Sequence, residues 1–199
     1  MSLMQREVQL VVEGELDGAV LSKIVEQFGN GLSICRVLLM RGCEKIRSDI
    51  PRFKNASNVI PHVVLTDLDQ NECAPSLMKV WGVDKDKENL LFRVAVREVE
   101  AWLLADREGF AKYLNLPVAK MPLYPEQEND PKQTLLNLVR KCKKRRLVDE
   151  IVPKMGSSAS IGPLYNARMG DFVRDCWSIE RAVTNSDSLS RAVKSISNF

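Results

Sequence analysis

The chain has 199 residues, of which 45% are hydrophobic and 28% charged, and its formal net charge is +3 at pH 7. This balance is typical of a globular protein and excludes a disordered, collagen-like or disulfide-scaffold chain. No apolar run approaches the roughly 20 residues needed to cross a bilayer, and the N-terminal segment has no apolar signal core, so we expect a cytoplasmic protein with no membrane partner. The five cysteines form no CxxC pair, and we expect them to be reduced thiols.

Four apolar segments predict strands covered on both faces. They are residues 7–12, 34–40, 62–66 and 90–96. Helical spacing of apolar residues predicts helices between them. These helices cover residues 16–28, 44–56 and 75–81, and Pro51 should break or kink the second. The alternation predicts an α/β fold with a mostly parallel four-stranded sheet flanked by helices.

The rest of the chain predicts a helical C-terminal extension. A helix is expected at about 100–115, a proline-bearing linker at 117–130, and further helices at 131–146, 165–177 and 187–197. We therefore expect an α/β domain over 6–116 and a basic extension over 131–199. Residues 131–199 carry 13 Lys and Arg against 6 Asp and Glu, whereas residues 1–130 carry 16 against 20. This asymmetry indicates a cation-binding site joined to a polyanion-binding surface, or else chance segregation of surface charge.

Acidic residues follow three of the predicted strands. Glu13 follows the first, Asp67 and Asp69 the third, and Glu98 and Glu100 the fourth. Ligands of open parallel sheets bind beyond the carboxyl ends of the strands, and oxygen-only ligands suit Mg²⁺ or Mn²⁺. Because strand residues two apart share a face, we expect each pair to point the same way. The alternative is that each acid is a turn residue or a helix cap.

Two of these segments resemble motifs of the TOPRIM domain. Residues 11–17 (VVEGELD) are similar to its first motif, and residues 63–69 (VVLTDLD) to its Asp-x-Asp motif. Over roughly residues 6–199 the chain also resembles an uncharacterised bacterial TOPRIM-like family related to the overcoming-lysogenization-defect nucleases. The segments that carry this second resemblance are residues 97–106 (REVEAWLLAD), 130–132 (DPK) and 161–166 (IGPLYN).

The resemblance implies Mg²⁺-dependent phosphodiester chemistry. It implies that Glu13 is a general acid/base or a metal ligand and that Asp67 and Asp69 are metal ligands. It also implies that Glu98 and Glu100 correspond to the additional acidic residues of the nuclease branch. Topoisomerases with this domain use a tyrosine nucleophile from another domain, and no segment here resembles one. The resemblance therefore favours hydrolysis by an activated water.

Two basic segments are candidate nucleic-acid contacts. The densest run comprises Lys141, Lys143, Lys144, Arg145 and Arg146. It is expected to neutralise phosphates, although it could instead be a solvated C-terminal helix turn whose cations favour the macrodipole. Lys45 and Arg47 follow the second strand and are expected to meet a phosphate at the same sheet edge. No aromatic residue interleaves with the dense run to indicate base stacking.

Two other functions remain open at this point. The chain could be a non-catalytic subunit that binds nucleic acid or a protein partner and has lost turnover. It could also be a small-molecule phosphohydrolase of haloacid-dehalogenase type that uses Asp67 and Asp69, although that family places the pair after its first strand rather than its third. A protein partner or a homodimer is compatible with either function.

Overall fold

The computed structural model describes residues 6–83 and 88–199. Four parallel strands form one sheet in the order β2-β1-β3-β4. The strands are β1 (Arg6–Val12), β2 (Leu32–Leu39), β3 (His62–Asp67) and β4 (Leu90–Ala95). The predicted fold class is confirmed: a parallel four-stranded sheet is flanked by helices and followed by a helical C-terminal region. The order also makes β1 and β3 central neighbours.

The helices occupy the intervals between strands and most of the chain after β4. They are α1 (Glu15–Phe28), α2 (Cys43–Ala56), α3 (Ala74–Val80), α4 (Val99–Ala105), α5 (Arg107–Leu114), α6 (Pro131–Arg140), α7 (Arg145–Ile151), α8 (Tyr165–Asp175), α9 (Ile179–Ala182) and α10 (Asp187–Ser197). Two short 3₁₀ helices, Val118–Lys120 and Pro125–Gln127, lie in the predicted linker. No helix in the described part of the chain is both long enough and apolar enough to cross a membrane.

Contacts divide the chain into two compact units. The first unit runs to Val96 and includes Ser188–Phe199, and the second unit is Arg97–Asp187. In the first unit α10 joins the sheet domain, since the backbone N–H of Val96 donates to Ser188 Oγ at 3.2 Å. The ends expected for the α/β domain and the linker, at 116 and 130, both fall inside the second unit. The division into those domains stays a prediction.

Strands β1, β3 and β4 of the first unit are largely buried, whereas edge strand β2 is partly exposed. Val11, Val64 and Phe92 form one cluster with apolar residues of α2 and α3. Alternate residues of the strands point to the opposite face, where α1 packs against the sheet. Gly18 of α1 packs there against the side chains of Val37 and Leu39 of β2. This packing holds the carboxyl ends of β1 and β3 side by side.

Two helical segments differ from their sequence-based predictions, and a third, α2, is not broken at Pro51. α2 continues through Pro51, where it lacks a backbone hydrogen bond but keeps its packed face of Ile46, Ile50 and Phe53. The helix expected at 100–115 is two helices, because the buried Asp106 caps α5 by accepting from the backbone N–H of Gly109 at 3.0 Å. The helix expected at 131–146 is also two, α6 and α7.

Candidate functional site

Glu13 is the residue around which the candidate site is built. It follows β1 and is half-buried. Its Oε1 accepts a hydrogen bond from Thr66 Oγ1 at 2.6 Å and another from the backbone N–H of Asp67 at 3.0 Å. Within the described residues both of its side-chain hydrogen bonds go to this one oxygen. Oε1 is therefore fixed to the end of β3, and Oε2 is available to a ligand.

Gly14 and Asp17 explain the residues that follow Glu13. Asp17 Oδ2 accepts from the backbone N–H of Gly14 at 2.8 Å and so caps the first turn of α1. A Cβ at position 14 would lie only 3.2 Å from that oxygen, which favours glycine. Asp17 thus has a structural role, and Glu13 is left as the acid that faces the end of the strands.

Asp67 and Asp69 do not both lie in strand β3, so the alternation of side chains along a strand does not determine where they point. Asp67 is the last residue of β3, whereas Asp69 lies beyond the strand in the left-handed backbone region, at φ 49°. The expectation that the pair shares a strand face is therefore wrong. A non-glycine residue in this region is uncommon, and such strain concentrates at functional sites. Arg41, which follows β2, has the same feature at φ 61°.

Cys43, the first residue of α2, is acted on by the charges of several acids. Burial raises the pKa of its thiol, and the negative charges of Glu13 and Asp69 raise that pKa further. Glu13 and Asp69, together with Glu44, therefore contribute negative potential at this thiol. Sequence reasoning did not single out Cys43, and its only signal was a position just after Gly42 in the turn that follows β2.

In the part of the chain that the structure describes, the carboxyl edge of the sheet offers oxygen donors but no preformed metal cage. Residues 6–83 and 88–199 contain no group of three or more His, Cys, Asp or Glu side chains arranged to hold a metal ion. Mg²⁺, however, usually keeps several waters and is held by only one or two carboxylates. Glu13 Oε2 is one such oxygen ligand, and Asp69 adds a carboxylate just beyond the end of the neighbouring strand β3. The residues therefore fit a water-rich Mg²⁺ or Mn²⁺ site, not a preformed cage.

Glu98 and Glu100 belong to the second unit and lie outside the sheet. β4 ends at Ala95, Glu98 precedes α4 as its N-cap residue, and Glu100 is in its first turn. The expectation that they share a strand face is therefore wrong. Lys132 nonetheless joins them, because its Nζ lies 3.2 Å from Glu98 Oε1 and 3.4 Å from Glu100 Oε1. The backbone N–H of Lys132 also donates to Glu98 Oε2 at 2.9 Å.

Glu100 is a buried carboxyl group, only 3% exposed. Burial raises its pKa, the Lys132 ammonium opposes that shift, and the charge of Glu98 adds to it. Tyr165 donates its hydroxyl to Glu100 Oε1 at 2.8 Å, which favours the charged form. Lys132 and Tyr165 thus already satisfy this acid, and a metal-binding role for Glu98 and Glu100 stays a prediction.

The dense basic run lies across a helix break. Lys141 is the C-cap residue of α6, and Arg145 and Arg146 begin α7. A cation stabilises the helix dipole at the C-terminus of a helix and destabilises it at the N-terminus. Of this run, only Lys141 therefore fits the alternative explanation of a solvated C-terminal helix turn.

Two members of this run have partners. Lys144 Nζ donates to the carbonyl oxygen of Tyr113 at 2.6 Å and lies 5.8 Å from the centre of that ring, and Arg146 pairs with Glu150 at 2.8 Å. Lys141, Lys143 and Arg145 are exposed and form no ion pair within the described part of the chain. Their contact with phosphates stays a prediction.

Lys45 and Arg47 are both exposed on α2, two residues apart. Arg47 lies 3.8 Å from Glu44, so its charge is partly compensated. Lys45 lies on the side of α2 that lines a groove along the sheet, together with Asp49 and Arg52. The structure therefore separates these two predicted phosphate ligands, and only Lys45 is part of that groove.

Comparison with known proteins gives one structural match to report. No family model matches the sequence, and no curated protein matches it. The C-terminal region of the Burkholderia pseudomallei OLD protein matches over 96% of this chain and 97% of that chain, at 15% sequence identity and a TM-score of 0.42. The function of this chain is therefore inferred below from its own residues.

Replacing Thr66 with Val tests how firmly Glu13 is held. Thr66 is 1% exposed, and Thr66→Val keeps its shape but removes the hydroxyl donor from a carboxylate. We expect the free energy of unfolding to fall by about 1–3 kcal/mol, measured by urea denaturation. Thr66→Ser, which keeps the hydroxyl, should lose less. Equal stability of Thr66→Val and the wild type would contradict the anchoring role.

The pH dependence of stability tests the burial of Glu100. The pKa of Glu100 is higher in the folded protein than its ordinary value of 4.5, so the folded state binds this proton more tightly than the unfolded state. The resulting stabilisation is fully present below pH 4.5. It is lost as the pH rises through the folded-state pKa. Wild type should therefore lose stability relative to Glu100→Gln as the pH rises from 4.5. Parallel urea-denaturation curves for the two proteins across this range would show that burial does not shift Glu100.

Proposed function

We propose that this chain is a divalent-metal-dependent phosphodiester hydrolase that acts on nucleic acid, with Glu13, Asp67 and Asp69 as its site. The observation that carries the proposal is the fixed Glu13 carboxylate, whose Oε1 is held by Thr66 and by the backbone of Asp67 while Oε2 stays available. The combined charge of Glu13 and Asp69 at Cys43 adds an electrostatic reason to attract a cation. The TOPRIM resemblance of residues 11–17 and 63–69 agrees with the same residues.

The mechanism follows from what each carboxylate can do. A bound Mg²⁺ or Mn²⁺ supplies positive charge to the phosphoryl oxygens and lowers the pKa of a coordinated water. Glu13 Oε2 either ligates that cation or accepts the proton of the attacking water, while Oε1 keeps the side chain in one orientation. Asp67 and Asp69 provide the remaining negative charge at the same sheet edge.

Two of the three tyrosines are poor candidates for a covalent nucleophile. Burial raises the pKa of Tyr113 to about 12, and its hydroxyl donates to the carbonyl oxygen of Arg168 at 3.3 Å. Tyr165 is buried, and its hydroxyl is bound to Glu100. Tyr124, which is 65% exposed, is not held in either way. These environments support water rather than Tyr113 or Tyr165 as the nucleophile.

The second unit adds the polyanion-binding part of the proposal. Lys141, Lys143 and Arg145 are exposed cations suited to phosphates. Glu98 and Glu100 would ligate a metal only after Lys132 leaves them, because its ammonium already compensates both charges. A non-catalytic nucleic-acid-binding subunit would use the same cations, so a cleavage assay separates the two functions.

Substitution of Glu13 tests the proposed hydrolysis. Glu13→Gln keeps the shape and the acceptor oxygen but removes charge and basicity. We expect Mn²⁺-supported nicking of plasmid DNA, or cleavage of structured RNA, to fall by about 10²-fold or more. Glu26→Gln is the matched control, because Glu26 is exposed in α1 and lies about 16 Å along that helix from its first turn.

The outcomes of this assay are distinct. Undiminished cleavage by Glu13→Gln would place the reaction at another site or in a contaminant. Absence of cleavage by the wild type on both substrates would favour the binding-subunit function. Release of phosphate from small phosphoesters would favour a small-molecule phosphohydrolase.

Direct metal binding is tested by calorimetry. Wild type titrated with Mn²⁺ should show a site that Asp67→Ala weakens strongly, because the variant removes one of the three clustered charges. The same metal should raise the melting temperature of the wild type by mass action more than that of Asp67→Ala. Equally weak binding by both proteins would exclude the proposed centre.

A further inference from the structure

A groove lies beside α2 on one face of the first unit. Edge strand β2 is half-exposed along this face, while α2 packs against β3. The space left between them has a volume of about 270 Å³ and is lined by residues of α2 and of the three strands β1, β2 and β3. Neither the sequence patterns nor the proposed hydrolysis accounts for it.

The charge of the groove is positive. Arg36 of β2 and Lys45 and Arg52 of α2 line it, and Asp49 is the acid among its lining residues. Asp49 lies 3.8 Å from Arg52 and compensates that cation. Within the described residues Arg36 and Lys45 form no ion pair. Two uncompensated cations in one groove favour an anionic ligand with more than one charge.

The sheet register gives the groove a row of hydrogen-bonding side chains. Gln9 pairs with Arg36 on one side and with His62 on the other, so the three side chains lie next to one another across β2, β1 and β3. Leu38, Met40 and Phe53 add an apolar lining beside this row. The groove thus combines cations, polar groups and an apolar surface.

His62 presents an acceptor to this groove. It is 2% exposed, and its Nδ1 lies 2.6 Å from the carbonyl oxygen of Ile60. Because a carbonyl only accepts, Nδ1 carries the hydrogen, and burial lowers the pKa of the ring and so favours the neutral form. Nε2 is then an acceptor, and it has no hydrogen bond among the described residues. A neutral ring in this tautomer can accept a hydrogen bond from a ligand that enters the groove.

The groove begins next to the proposed catalytic edge. Lys45 is in the first turn of α2, and the turn before that helix is tied to Glu13, whose carbonyl oxygen accepts from the backbone N–H of Arg41 at 2.8 Å. From Lys45 the lining residues continue along α2 to Ala56, about 16 Å at 1.5 Å per residue. A chain-like anion bound here would extend from the carboxylates along the helix.

We propose that this groove binds one strand of single-stranded nucleic acid. Arg36, Lys45 and Arg52 would contact its phosphates, and Gln9 and His62 would hydrogen-bond to a base or sugar. The volume is at the lower limit of ligand sites, about 300 Å³, which suits a nucleotide of one strand and not a base pair. A positively charged groove that follows the phosphate backbone is typical of single-strand binding. The inference depends on the proposed function in one respect: the bound strand would be the substrate of the proposed hydrolysis.

Binding without metal tests this inference. Fluorescence anisotropy of the full chain is measured in EDTA with fluorescein-labelled twelve-nucleotide oligothymidylate and oligouridylate, and with a duplex of the same length. Arg36→Gln and Lys45→Gln should each weaken single-strand binding by about tenfold and lower the log–log salt slope by about 0.7. Lys79→Gln is the matched control, because Lys79 is exposed on α3 and does not line the groove. Arg36→Lys should keep the slope.

The outcomes separate this inference from the hydrolase proposal. Wild-type affinity of both Arg36→Gln and Lys45→Gln, or tighter binding of the duplex than of either single strand, would overturn the groove as a single-strand site. Glu26→Gln, which lies outside the groove and the carboxylate edge, should bind like the wild type in EDTA. Groove-dependent binding without any Mn²⁺-supported cleavage would leave the inference standing and refute the hydrolase. Unchanged melting temperatures of the variants confirm that they fold.

Discussion

The hydrogen bonds that Glu13 Oε1 receives from Thr66 and from the backbone of Asp67 join the ends of the two central strands. They turn an acid in a connecting turn into a carboxylate with one fixed and one available oxygen. This arrangement depends on β1 and β3 being neighbours in the sheet. It also depends on Asp17 capping α1, since that cap takes the Gly14 N–H and sets the direction of the chain after Glu13.

Charges of opposite sign are segregated within the first unit. Glu13 and Asp69 make the carboxyl edge of the sheet negative around Cys43, while Arg36 and Lys45 make the adjoining groove positive. We propose that the first region attracts a cation and the second a polyanion. Such a juxtaposition suits a reaction in which a metal ion and a phosphodiester must meet, because each partner is attracted by its own field.

The acids of the second unit illustrate a different solution to carboxylate repulsion. Glu98 and Glu100 share the ammonium of Lys132, and Tyr165 donates to Glu100. This pair is satisfied by protein groups, whereas Glu13 keeps an oxygen for a ligand. Buried charges without such partners are costly, so Lys132 is as necessary to this cluster as the acids themselves.

Local periodicity in the sequence determined the four strands, most of the helices and the presence of acids just after β1 and β3. Alternation and helical spacing are properties of short segments, so they can be recognised without a partner. Tertiary structure alone decided that Thr66 anchors Glu13, that Asp69 leaves the strand in a left-handed conformation, and that Lys132 joins Glu98 to Glu100. It likewise decided the row of Arg36, Gln9 and His62. Strand order, register and ion pairs bring together residues far apart in the chain, and no local pattern carries that information.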